Sequence, residues 1–145
     1  MIKSRVSALW GKKVPSVYYL FYDEYVYIGI TEDFPFQRWA NHFQKKGSFV
    51  KAIKKYYPEF DYKSDSVKVV SVTLDKSIIN STKVLKALEK ELHSDFDRNP
   101  FVCSKGYSVI SSTTKTAPRH FEYEEVKAKA SIVRDEINSL YKLAL

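Results

Sequence analysis

A single cysteine, Cys103, stands in 145 residues. That excludes a disulfide framework and any cysteine-based zinc site, and it points to a reducing, cytoplasmic setting. Long apolar runs are missing as well. No segment approaches the ~20 apolar residues of a membrane span. The opening stretch MIKSRVSALWGKKVPS carries basic residues without the apolar core of a signal peptide. No block of like charge marks a tail, and no internal repeat points to a solenoid.

What remains is globular material with a basic bias. A hydrophobic content of 44% is too high for disorder, and the length suits one domain with a real core. The net charge is +7, and its placement says more than its sum. Lys45, Lys46, Lys51, Lys54 and Lys55 fall within eleven residues, shortly after Arg38. Such a cluster suits a polyanion, with phosphates the commonest target; a solvated lysine-rich face has the same composition.

Alternation over 16–22 and 25–31 predicts two strands joined at Asp23-Glu24. Tyr18, Leu20 and Tyr22 share one face, and Val17, Tyr19 and Phe21 the other. Gly29 inside a strand marks a bulge or a close approach by another group. Asp33 then reads as an N-cap with Pro35 in the first turn, opening a helix to about Lys46. Phe36, Trp39, Ala40 and Phe43 form its inward stripe, while Arg38 and His42, at i and i+4, sit together elsewhere. A shorter helix follows Gly47-Ser48 and closes before Pro58.

VKVVSVTL, residues 67–74, is a further strand. Ser81 opens a helix to about Phe96, with Leu85, Leu88, Leu92 and Phe96 buried. Glu89 and Glu91 flank that apolar arc, and periodicity does not choose between them. A short strand is expected within Tyr107–Ile110, then a connector over 112–122. From Tyr123 a last helix carries Val126, Ala130, Val133, Ile137, Leu140 and Ala144 in one stripe. The order argues an α+β domain with a small three-stranded antiparallel or mixed sheet flanked by helices. Residues 1–14 read as an N-terminal extension, 15–111 as the domain, and 123–145 as an added C-terminal helix. That helix docks on its own domain or pairs with a second copy, with docking and a monomer favoured.

SVYYL, then VYIGIT, then EDFPFQRWANHF resembles the signature of the GIY-YIG nuclease family, over roughly residues 15 to 110. The first motif is Ser16-Val17-Tyr18, with serine where the family has glycine, and the second is Tyr27-Ile28-Gly29. Arg38 matches the family's arginine on the first helix, and His42 the histidine one turn later. Leu88-Glu89 matches the later glutamate in its apolar context, which selects Glu89 over Glu91. The family commonly closes with Gly-Tyr-Asn; here the stretch is Gly106-Tyr107-Ser108, with Asn99 the nearest preceding amide.

The resemblance implies a metal-dependent DNA endonuclease, most simply on double-stranded DNA. Glu89 would hold Mg²⁺ or Mn²⁺, hard ions that need few protein ligands. Arg38 would fork onto phosphate oxygens. Tyr18 would serve as general base or align the attacking water, with Tyr27 orienting water or phosphate. As a base, Tyr18 needs nearby positive charge to lower its pKa from ~10. Ser108 would hydrogen-bond where the asparagine amide does. The lysine cluster would contact the DNA backbone. Two rivals stand beside this reading: a nucleic-acid binder that has lost turnover, and a protein–protein module with a basic face. His93 and His120 read as exposed-face residues.

Overall fold

The hairpin is where the alternation places it. The computed structural model describes residues 2–6, 15–32, 35–44, 46–74, 82–98, 107–111 and 123–143. Asp33, Lys45, Ser81, Asn99, Gly106, the connector 112–122, His120 and Ala144 lie outside them. Within them, β1 is Ile2–Val6, β2 Ser16–Tyr22, β3 Tyr25–Thr31, α1 Pro35–Phe43 and α2 Ser48–Lys54. Then come β4 at Val67–Thr73, α3 at Thr82–Arg98, β5 at Ser108–Val109 and α4 at Tyr123–Leu143.

β2 and β3 pair antiparallel through the Asp23-Glu24 turn. Asp23 takes φ 50°, the left-handed region that short polar side chains tolerate. The Tyr57 hydroxyl donates to its carboxylate and pins the turn from outside.

The sheet has five strands in the order β1-β4-β2-β3-β5, not the three expected. β1 adds parallel to β4 and β5 parallel to β3. Ile2–Val6, assigned from sequence to an extension, is therefore an edge strand. Five residues with two lysine or arginine positions hold too short an alternation to separate from a charged leader. β5 is only two residues long.

The two faces of the sheet carry different helices. Val17, Tyr19, Phe21, Val26, Ile28, Val70 and Val72 meet Leu85, Leu88 and Leu92 of α3 and the stripe of α4. Tyr18, Leu20, Val67 and Val69 meet Trp39 and Phe43 of α1 and Phe49, Val50 and Ile53 of α2. The period-2 pattern of β2 thus sends Tyr18 and Tyr19 into separate cores.

α4 packs on α3, β4 and β1. Val126, Ala130, Val133, Ile137 and Tyr141 are buried, and Leu140 is only partly so. Burying each large aliphatic there is worth about 1.5–3 kcal/mol, enough to hold the helix down. Arg134 Nη1 meets Asp95 Oδ1 of α3 at 2.9 Å, and the Tyr107 and Tyr141 hydroxyls meet at 2.7 Å. The described part of the apolar stripe, Leu140 in part, is buried within the chain.

Candidate active site

Tyr18 lies mid-strand, opposite Gly29 on β3 and Ser71 on β4. Its ring crosses directly above Gly29. A Cβ at that glycine would stand 2.3 Å from both Cζ and Oη of Tyr18, far inside contact distance. This is the close approach that a glycine within a strand signals. Gly29→Ala must therefore displace the ring and break the contacts its hydroxyl makes. Overpacking of this kind costs about 1–3 kcal/mol. The expected result is a lower melting temperature. Unchanged melting would show that the ring does not lie there.

The Tyr18 hydroxyl points at α1. His42 Nε2 stands 2.6 Å from it, and Arg38 Nε donates to it at 3.4 Å. The i, i+4 spacing delivers both side chains to one phenol, but they face different media. His42 is 2% exposed, whereas Arg38 opens to solvent. Burial, helped by the Arg38 charge, pulls the His42 pKa down to about 4. The neutral ring has two tautomers; with its proton on Nδ1, Nε2 accepts the Tyr18 O–H.

The Arg38 charge does not by itself lower the Tyr18 pKa. Burial raises it, and it outweighs the hydrogen bond and charge of Arg38; Tyr27 and Glu89 push the same way as burial. His42, being neutral, adds no positive field. Tyr18 keeps its proton at neutral pH and is linked to a base.

This pair has a consequence for acid stability. The His42 pKa is depressed in the folded chain, so below pH ~6.5 the unfolded state binds the extra proton first. Stability contributed above pH ~6.5 is lost as pH falls toward 4, on the order of 3 kcal/mol in all. Chemical denaturation of wild type and His42→Gln at pH 7.5 and 4.5 measures it. The variant should lose distinctly less stability between the two pH values; equal losses would place the acid sensitivity elsewhere.

Tyr27 is half-buried, with its ring centroid 4.8 Å from that of His42. Glu89 is 9% exposed on α3, on the other face of the sheet. Its charge nevertheless acts on Tyr18, Tyr27 and Arg38. No such influence of Glu91 on these groups is seen, and Glu91 is less buried.

Ser108 is not brought to this place. It is exposed, pairs with Tyr25, and its N–H donates to the Glu24 carbonyl at 2.8 Å. Tyr25 is four residues from Gly29, roughly 13 Å along a strand. The serine that does approach is Ser111, whose Oγ accepts from the Ile28 N–H at 2.9 Å and meets His93 Nε2 at 2.7 Å. His93, expected on an exposed face, is half-buried, and its Nδ1 lies 2.7 Å from the Glu89 carbonyl oxygen.

Lys46, Lys51, Lys54 and Lys55 are exposed, while Phe49, Val50 and Ile53 hold α2 to the core. Among the described residues no group of three or more His, Cys, Asp or Glu side chains gathers to hold a metal ion. The site thus offers one carboxylate, Glu89, whose charge reaches Tyr18, Tyr27 and Arg38. It fits an ion such as Mg²⁺ that keeps its waters and completes its shell from phosphate oxygens, and it does not make a closed protein cage.

Comparison of the chain with protein-family models, curated proteins and solved structures finds no match.

Proposed function

We propose that this chain is a metal-dependent DNA endonuclease of GIY-YIG type. One observation carries the reading: Tyr18, Arg38 and His42 meet at one hydroxyl, within reach of the Glu89 charge. The four come from β2, α1 and α3, in the order the motif resemblance requires.

Arg38 presents an exposed, permanently charged guanidinium to a phosphate. An attacking water gives a proton to Tyr18 Oη as the Tyr18 proton passes to His42 Nε2, so the tyrosine is unchanged in net charge. The hydroxide forms the new P–O bond, the old one breaks, and the leaving oxygen takes a proton from solvent. A divalent ion held by Glu89, when bound, supplies charge for the phosphoryl and leaving oxygens.

The depressed basicity of His42 has a use in this scheme. Part of it comes from the Arg38 charge. A phosphate on Arg38 offsets that charge and raises the proton affinity of His42. Substrate binding thereby readies the base.

α2 would lie along the DNA backbone. Replacing Lys51, Lys54 and Lys55 together with glutamine should weaken binding to all sequences alike. The slope of log affinity against log salt should flatten by roughly two to three units, near one per lost phosphate contact. An unchanged slope would remove α2 from the DNA surface.

The second reading, binding without turnover, is favoured by the distance of Ser108 from Tyr18 and by the single carboxylate. Native and denaturing gels of one end-labelled duplex separate the two. Strand shortening in Mg²⁺ but not in EDTA supports the nuclease. Salt-sensitive retardation with no shortening in either supports the binder.

A further inference from the structure

We propose that His93 and Ser111 are positioning residues that hold the Glu89 turn of α3 against the hairpin; the role rests on the nuclease reading of Glu89. The argument begins with which atoms can donate. A carbonyl oxygen only accepts, so the 2.7 Å contact between His93 Nδ1 and the Glu89 carbonyl places a proton on Nδ1. In the neutral ring Nε2 is then unprotonated and accepts. Ser111 Oγ, 2.7 Å away, donates its hydroxyl proton there and keeps a lone pair for the Ile28 N–H at 2.9 Å. Every group in the chain has one consistent role.

The relay joins two parts of the candidate site that no secondary-structure ladder connects. At one end is the peptide of Glu89. At the other is Ile28, which sits between Tyr27 and the Gly29 that carries the Tyr18 ring. Along β3, the backbone of β5 pairs Val26 through the Ile110 N–H, and beyond that the Ser111 side chain takes over as the partner of Ile28. The helix turn bearing the carboxylate is thereby keyed to the strand bearing the phenols. A ligand carboxylate needs its position fixed to about half an ångström, and loss of such outer contacts costs 10–100-fold in metal affinity or activity.

A clamp serving stability alone would look alike in the resting fold, so the test must read the metal. Ser111→Thr and Ser111→Val have nearly the same shape and differ by the hydroxyl. Mn²⁺ titrations of the full chain, followed by paramagnetic broadening of amide signals around Glu89, should give Thr within about 2-fold of wild type and Val roughly 10-fold weaker. DNA affinity without metal should be alike in all three. Equal Mn²⁺ affinity of Val and wild type, with only a lower melting temperature, would overturn the proposal.

Imidazole ¹⁵N spectra of wild type at pH 8 provide a readout independent of activity. His93 should show a protonated Nδ1 and a bare Nε2; the opposite tautomer would overturn the relay, and this result decides if Ser111→Val does not fold. Wild type that takes up no Mn²⁺ and cuts no DNA, with the tautomer as stated, removes the nuclease reading and the positioning role with it. Wild type that cuts DNA while Val keeps full Mn²⁺ affinity removes only the role of His93 and Ser111.

Discussion

Glu89→Gln is expected to lose metal-dependent DNA cleavage by on the order of 10³-fold while binding DNA within about 2-fold of wild type. Glutamine keeps the shape of the side chain and removes its charge. An amide oxygen is a poor substitute for a carboxylate toward a hard divalent ion. Glu89 is nearly buried, and a buried carboxylate is costly to desolvate, so folding should not suffer from the exchange. Glu91→Gln, two residues on and on a more open side of α3, should retain wild-type rate. Single-turnover cleavage and filter binding on the same preparations check both. A dead Glu91→Gln beside an active Glu89→Gln would reassign the ligand.

Tyr18→Phe is the other large effect. The ring still lies across Gly29, but the proton path from water to His42 is cut. General acid–base catalysis typically contributes 10²–10⁴-fold, and a rate loss within about that range is expected at unchanged DNA affinity. Stability should fall as well, because Nε2 of a buried, neutral His42 loses its donor, at a cost of about 1–3 kcal/mol. Tyr19→Phe is the control. Its hydroxyl lies in the other core, under the influence of Asp95 and Arg134, so the rate should be unchanged whatever happens to melting. Equal rates for Tyr18→Phe and wild type would return the hairpin tyrosines to packing.

How far the site was legible in the sequence differs residue by residue. The strand limits at 16–22 and 25–31 follow from alternation, because the two faces of each strand pack against different layers. Gly29 was readable as a close approach, though only the fold names Tyr18 as the group that approaches. The helical spacing of Arg38 and His42 was readable too. That one opens to solvent while the other is sealed against a phenol depends on how α1 sits on the sheet, which no local pattern carries.

The same reason hides His93 and Ser111. Glu89 and His93 stand at i and i+4, but the contact runs from a ring nitrogen to a main-chain carbonyl, for which residue type at the acceptor is no guide. Ser111 lies past the motif that drew attention to Ser108. The register of β5 is set by backbone pairing at Tyr25 and Val26, and that pairing carries Ser108 away from Tyr18 and brings Ser111 to Ile28. β1 escaped because its partner, β4, lies sixty-odd residues away and five residues hold little periodicity.

Supercoiled plasmid incubated with the purified full chain tests the central claim most directly. Wild type with Mg²⁺ should convert it to nicked and linear forms, wild type with EDTA should leave it supercoiled, and Glu89→Gln with Mg²⁺ should leave it supercoiled as well. Intact plasmid in every lane, or equal conversion by wild type and Glu89→Gln, would contradict the account.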